Sequence, residues 1–466
     1  MQTDVSSTVR GRGSQRFGRA QAPFHSSRVL LLTSGLGYGH VRAAQAVEAA
    51  LLQRRASVKI LDLWSLMNPG AASIIQKTYL RLVQEYPELY ERLYHLDEHT
   101  WRHIFESEEG PPAAVLEVLE LISEIMASSV ADVRGTHYAS DRLLLSLLGI
   151  ALPYDGTSLA GVGVRARLAL IKWTWLRLNK RIGGFVQQFA PDVVISTQMI
   201  PAAMVSSLKR RGRVNAPLMG VLTDYGMHDF WRQPGVNCYC TAHDSIVASA
   251  QTGERYAEVK ATGVPLMPGF AHPLSQQEAR RQLNIAPESK VILVLGGGLG
   301  LSVDAIAAQL LQRAAPTFLL VMPGKNSTAR SQLLARAADH PGRIQVCDWT
   351  ERMDIYIRAA DVVVGKPGGV SVAEVLACGR PLFATRSLGG QEGFNVRFLE
   401  QHGVGGLVAD AELADRIDAV IHEPQTLAQM QERAWALGSR DGAARISDLA
   451  LDLAWAHRPR NVVQEH

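Results

Sequence analysis

The sequence is short of cysteine, lacks any long apolar run and carries no strong excess of either charge, and each shortage removes a class of protein. Four of its 466 residues are cysteine: Cys238, Cys240, Cys347 and Cys378. Cys238 and Cys240 have neither CxxC spacing nor a matching partner pair, so the pattern is that of reduced, partly buried thiols in a cytosolic protein rather than a zinc site. No stretch reaches the roughly 18 consecutive apolar residues that a bilayer-crossing helix needs, so any membrane contact is expected to be peripheral. Residues 1–27 hold Ser, Gly and several Arg around no apolar core and read as a disordered basic leader, not a signal peptide. A formal net charge of +4 suits an anionic partner, either a nucleotide or an anionic membrane surface, and equally an ordinary soluble enzyme; no nucleic-acid partner is expected. With 47% hydrophobic and 20% charged residues the chain is globular, and its length calls for two domains rather than one core.

What is present is one local pattern used twice. The apolar run RVLLLT (28–33) passes at once into Ser34-Gly35-Leu36-Gly37-Tyr38-Gly39-His40 and then into a helical pattern over 41–53. That is a strand, a glycine turn and a helix, the opening unit of a doubly wound sheet. Further buried strands are expected at 57–61, 192–196, 217–222, 245–248 and 259–263. A long helical stretch, about 70–189, separates the first of these from the second. Within it, apolar residues from Ile74 to Tyr94 recur at helical spacing, and 107–165, with a Gly-Pro-Pro break, yields no assignable element. Residues 165–181 combine Leu, Ile and two Trp with six basic residues. Such a helix either lies on an anionic membrane or is a core helix with a basic outer face. After Pro265, Pro268 and Pro273 the pattern restarts: VILVL (291–295) runs into Gly296-Gly297-Gly298-Leu299-Gly300, and strands are expected at 317–322, 343–347, 361–364 and 381–384. Two such sets imply two α/β domains facing a cleft, with a helical tail at 426–457 able to pack back across it.

Glycine turns that open a helix let backbone N–H groups approach an oxyanion. Neither turn here has dinucleotide or P-loop spacing, and either can simply serve a tight turn. The segment 361–395 says more. Its strand ends at Gly365, and Lys366-Pro367-Gly368-Gly369 turns into a helix expected near Ser371. Ser371 is placed to cap that helix beside N–H groups that suit a diphosphate. Glu374, three residues on, occupies the capping-box position; alternatively, its carboxylate accepts from both hydroxyls of a ribose. Beyond the next strand stand Gln391, Glu392 and Asn395, polar groups able to read sugar hydroxyls.

This block resembles the donor-binding region of the monogalactosyldiacylglycerol synthase and processive diacylglycerol glucosyltransferase group, within the larger family that also contains the peptidoglycan lipid-intermediate transferase. The similarity takes in Thr223-Asp224-Tyr225-Gly226-Met227-His228 with Trp231, Gly263-Val264-Pro265, Gly296 to Gly300, Gly37 to His40 with Ala43-Ala44, and the Tyr79–Tyr94 stretch on the acceptor side. It covers most of residues 28–440.

The resemblance implies two Rossmann-type domains in the glycosyltransferase arrangement known as GT-B. A disordered leader (1–27) would be followed by an acceptor-binding domain (28–265) with a helical insertion at about 70–189. A UDP-sugar-binding domain (275–440) and a C-terminal helix and tail (441–466) would complete it. Gly298 and Gly300, with Gly368, Gly369 and Ser371, would face the diphosphate; Glu374 would hold the ribose, and Gln391 and Glu392 the sugar, supported by Asn395. The implied reaction is inverting transfer of glucose or galactose from a UDP-sugar to diacylglycerol, or to a glycosyl-diacylglycerol, giving a β-glycolipid. It would take place on the inner face of the cell membrane, to which a cytoplasmic enzyme binds peripherally.

Direct displacement needs a base. His40, at the start of a helix facing the cleft, is the candidate, or else a histidine that caps the helix or positions the acceptor. Asp224, at the end of a buried strand, either orients His40 or is the base itself. Tyr38, Gly39, His228 and Trp231 are expected on the acceptor, Tyr38 standing where the family usually has a small residue. No metal and no cofactor are expected. The alternatives are another hydrophobic acceptor or a non-catalytic nucleotide-sugar sensor.

Overall fold

The computed structural model describes residues 26–35, 37–67, 77, 86, 160–250, 257–272, 274–297, 300, 302–312, 317–385 and 390–458, with the side chains of 160–174 and 250 excepted. The leader to residue 25, the Tyr79–Tyr94 stretch apart from Tyr86, residues 107–159 and Gly298 lie outside the described residues.

The first half contains β1 (Arg28–Thr33), α1 (Tyr38–Gln53), β2 (Ser57–Asp62), α2 (Ala160–Phe189), β3 (Val193–Ser196), α3 (Met199–Arg210), β4 (Leu218–Val221), β5 (Cys238–Thr241), α4 (Asp244–Ala250) and β6 (Glu258–Ala261). The second contains α5 (Gln276–Gln282), β7 (Lys290–Leu295), α6 (Val303–Leu311), β8 (Thr317–Met322), α7 (Ser327–Asp339), β9 (Ile344–Val346), α8 (Met353–Ala359), β10 (Val362–Gly365), α9 (Gly369–Ala377), β11 (Leu382–Ala384), α10 (Gln391–Gln401) and β12 (Gly405–Leu407). Three helices close the described chain: α11 (Leu413–Ile421), α12 (Pro424–Leu437) and α13 (Gly442–Ala456).

Each half is a six-stranded sheet in the described residues, ordered β2-β1-β3-β4-β5-β6 and β12-β11-β10-β7-β8-β9. Every strand pair is parallel. The central strands are continuous apolar runs because helices cover both faces; VVIS of β3 and LMGV of β4 are buried at every position. This is the α/β, doubly wound architecture that the repeated strand–turn–helix pattern implied.

Two strand assignments differ. Residues 245–248 lie in α4, where Ile246 is buried, Val247 is partly buried and Ser245 and Ala248 are exposed, a pattern that a strand buried on both faces would not show. The strand is instead β5, CYCT, all four residues buried. The short β12 at the sheet edge was not expected. A Cβ at Gly405 would fall 1.8 Å from the Leu382 carbonyl oxygen, so only glycine pairs there.

Helix α2 turns Trp175, Leu178, Ile182 and Val186 into the core and leaves Leu176, Arg177, Lys180 and Arg181 outside. From residue 175 onward it is therefore a core helix with a basic outer face. The last helix, α13, belongs by packing to the first half: Ile446, Ala450 and Ala454 join Val29, Leu31 and Val47 in one cluster. Arg54 fastens it with two hydrogen bonds to Asp448, at 2.6 and 2.9 Å.

Strand order also locates the open crevices. Connections leave in opposite directions between β1 and β3 in the first sheet and between β7 and β10 in the second, and doubly wound sheets bind ligands beyond the strand ends at such points. The loop ending in His40 follows β1, and Lys366–Gly368 follows β10.

Candidate active site

His40 stands in the first turn of α1, at the first sheet's crevice. Its Nδ1 lies 2.9 Å from the Thr197 carbonyl oxygen, just beyond β3. A carbonyl only accepts, so Nδ1 carries the proton and the neutral ring keeps its free lone pair on Nε2. Thr197 is itself locked, its hydroxyl 3.0 Å from the His40 carbonyl oxygen and 3.1 Å from the Thr33 hydroxyl. Burial lowers the His40 pKa below its ordinary value, and the nearby Asp224 charge and the Thr197 bond only partly oppose this. The imidazole is thus neutral at pH 7. The orienting role considered for Asp224 is filled by Thr197.

Asp224 follows β4. Its Oδ1 accepts from Asn395 Nδ2 at 2.9 Å, and its Oδ2 lies 3.4 Å from the Thr223 hydroxyl. Asn395 is completely buried and joins the two halves. Its second Nδ2 hydrogen goes to the Pro367 carbonyl oxygen at 2.9 Å, and its Oδ1 accepts from Tyr225 N at 2.8 Å. Both amide donors are committed to protein, so Asn395 braces Asp224 rather than reading a sugar.

The halves meet over this strut. A Cβ at Gly369 would fall 2.0 Å from the Thr223 carbonyl oxygen, and one at Gly226 would fall 2.2 Å from the Phe394 ring. Between them His40, Asp224, His228, Trp231 and Gln391 line a cavity of ≈ 30 Å³ with Gln198 and Met199. That is room for about one water, against several hundred Å³ for a ligand pocket. His228 Nδ1 also accepts from Phe230 N at 3.0 Å, and Trp231 is buried with its ring edge-on to Tyr239.

On the donor side, α9 begins earlier than expected. Gly368 is its cap, no side chain caps it, and Ser371 falls inside the first turn. Glu374 is consequently not a capping-box partner. Its carboxylate makes no hydrogen bond to any described residue, and burial raises its pKa to about 7 despite the nearby positive charge of Arg42. A half-buried carboxylate with no structural employment, one turn into this helix, is free to meet a ligand's hydroxyls.

A family model described as Monogalactosyldiacylglycerol (MGDG) synthase matches residues 166–266, and one described as Glycosyl transferases group 1 matches residues 275–436. Together they cover more than half of the chain. The processive diacylglycerol beta-glucosyltransferase of Bacillus subtilis is 29% identical over 259 residues, 54% of this chain and 67% of the relative. That of Bacillus cytotoxicus is 23% identical over 431 residues, 91% of this chain and 93% of the relative. The chain is thus similar along nearly its whole length to processive diacylglycerol beta-glucosyltransferases and carries both of these glycosyltransferase domains. Among solved structures, Acinetobacter baumannii MurG superposes with a TM-score of 0.55 at 17% identity, covering 91% of this chain and 99% of that one. The glycotransferase of kitacinnamycin gives 0.52 at 13% identity, covering 92% and 99%. These two establish the glycosyltransferase fold.

For a glycosyltransferase the remaining site residues divide clearly. Gln391 reaches the cavity, whereas the buried Glu392 is paired with Lys366 Nζ at 2.6 Å. Gly300 has φ +61° and its Cβ would fall 2.0 Å from the Pro323 carbonyl oxygen, so its glycine is required by the fold itself. Gly368 has open space around it. Tyr38 and Gly39 face the second half: Gly39 abuts Val370, and the Tyr38 ring lies 5.5 Å from that of Trp349, with Lys325 Nζ over both. Arg42 adds an ion pair to Glu351 across the same seam. Thr197, Arg42 and Trp349 went unnoticed in the sequence. Thr197 and Trp349 each follow the carboxyl end of a strand, the one signal that marked them.

Proposed function

We propose that this glycosyltransferase moves glucose or galactose from its UDP-sugar to diacylglycerol, or to a glycosyl-diacylglycerol, with inversion at the anomeric carbon. The observation that carries the reading is His40: a neutral imidazole, anchored through Nδ1, at a cavity shared with Asp224 and Gln391. In this reading Nε2 takes the proton of the acceptor hydroxyl as its oxygen bonds to the anomeric carbon. The bond from that carbon to the diphosphate oxygen breaks on the opposite face, and the proton passes from His40 to solvent after release. Charge on the departing diphosphate is met by the free N–H groups at the start of α9 rather than by a metal ion. Glu374 accepts from the ribose hydroxyls, and Gln391 contacts the sugar. Asp224, fixed by Asn395, favours the imidazolium that forms.

The acceptor lipid is reached at a membrane surface. Among the described residues no helix is long and apolar enough to cross a membrane, and the outer face of α2 is basic. Peripheral binding at the cytoplasmic leaflet follows from this reading. The test is to incubate the protein with diacylglycerol vesicles and radiolabelled UDP-glucose or UDP-galactose, and then to extract the lipid and determine the anomer. A lipid-soluble β-glycoside is expected. UDP binding with no lipid-soluble label from either donor would sink the proposal.

A further inference from the structure

The second half holds another cavity, ≈ 450 Å³, lined by Leu274, Arg358, Cys378, Arg380, Gln431 and Trp435 among others. It lies beside the first residues of β10 and β11, on the rim opposite the glycine loops that follow β7 and β10. Its chemistry is lopsided. Arg358 is 3% exposed, and its terminal nitrogens reach only the carbonyl oxygens of Phe270, His272 and Leu274, at 3.1 to 3.4 Å. Arg380 is bonded to the carbonyl oxygens of Arg358 and Gly379, at 2.9 and 3.4 Å. In both side chains Nε is buried and has no hydrogen-bond partner. At the mouth Arg440 stacks on Trp435 at 3.3 Å and donates only to the carbonyl oxygens of Ala377, Gly438 and Trp435.

Asp361 is already bound by Arg280 at 2.8 Å and by Val291 N at 2.8 Å, and the charge of Asp441 acts on Arg440. Carbonyl groups at the ends of α8 and α9 offset some of the charge, about half a unit per helix. Arg358 and Arg380 thus bond only to carbonyl oxygens and have no carboxylate as a hydrogen-bond partner, whereas buried charge is normally paired. The cavity-lining Cys378 does not supply the missing anion, since burial pushes its thiol up to about 12.

We propose that this cavity is an anion site for a phosphate group, held by Arg358 and Arg380 and separate from the diphosphate place at the start of α9. A phosphate group reaches it either as a free phosphate or phosphomonoester or as the head group of an anionic phospholipid, with Trp435, 48% exposed, at the mouth. The full chain is first saturated with UDP, so that the donor site does not report. Inorganic phosphate is then titrated calorimetrically, and sedimentation is measured with phosphatidylcholine vesicles with and without phosphatidylglycerol. Arg380→Gln removes one cation. Ser275→Asp keeps a side chain able to cap α5, where Ser275 now accepts from Glu278 N at 3.1 Å, and places a carboxylate at the cavity edge. Each variant should weaken binding by roughly tenfold or more, and Ser275→Asp stands in if Arg380→Gln does not fold. Saturable phosphate binding that the variants lose supports the site with a soluble anion. Vesicle binding that requires phosphatidylglycerol and is lost in the variants supports it with a lipid head group. Neither behaviour, or binding that both variants retain, overturns it.

Discussion

Because its Nδ1 is occupied by the Thr197 carbonyl, His40 has one nitrogen left for chemistry. His40→Ala should lower kcat by about 10²–10⁴-fold while UDP affinity stays within a few-fold, as measured by steady-state turnover beside nucleotide titration. Burial lowers the His40 pKa below 6.5. The working form is neutral, so activity should fall only when pH drops beneath that value, placing the acid limb of the kcat/KM profile below 6.5. Glu374 shifts the other way, from 4.5 to about 7. The folded protein holds this proton more tightly than the unfolded chain. Stability from that group is therefore complete below pH 4.5 and lost as pH rises through 7. Glu374→Gln should remove this loss: its Tm relative to the parent should be higher at pH 8 than at pH 5, and its UDP affinity should be lower. His40 could be picked out from sequence because it closes a glycine turn, and Asp224 and Gln391 because each stands beyond a buried strand. The role of Asn395 could not, because its partner Asp224 is 171 positions away.

Among elements, α9 is the one on which both halves converge. Gly369→Ala should leave the helix intact but hold Thr223 and Asp224 away from it. A misplacement of this size costs about a hundredfold in turnover, with an unchanged circular dichroism spectrum as the control for folding. The outer face of α2 makes a separate prediction. Replacing the exposed Lys180 by Gln should weaken partition onto anionic vesicles by about 1 kcal/mol without moving Tm. Most strands were readable because parallel strands buried on both faces leave continuous apolar runs, as in VILVL and VVIS. The exceptions have equally local causes. CYCT looks polar although each residue packs inward, and the Ile246-Val247 pair imitates a strand although Ser245 and Ala248 on either side are exposed. The cap of α9 was misplaced because Ser371 looks like an N-cap, whereas the close approach of the other half requires Gly369 and starts the helix sooner.

For the molecule as a whole, the two parallel sheets were legible from the repeated glycine-turn units. Their closeness was not, since it rests on single contacts such as Gly226 on Phe394 and Tyr38 on Trp349. With ≈ 30 Å³ between His40 and Gln391, the halves must separate before a UDP-sugar and a lipid can share the site. The packing of α13 has a consequence of another kind, for the order in which the protein is made. Ile446, Ala450 and Ala454 complete a cluster whose other members include Val29 and Leu31. During synthesis the first sheet emerges from the ribosome with one apolar face uncovered, and it stays so until nearly all of the described chain has followed. A nascent chain stopped at residue 441 should bind a hydrophobic dye and sediment with aggregates, whereas one extended through residue 458 should do neither.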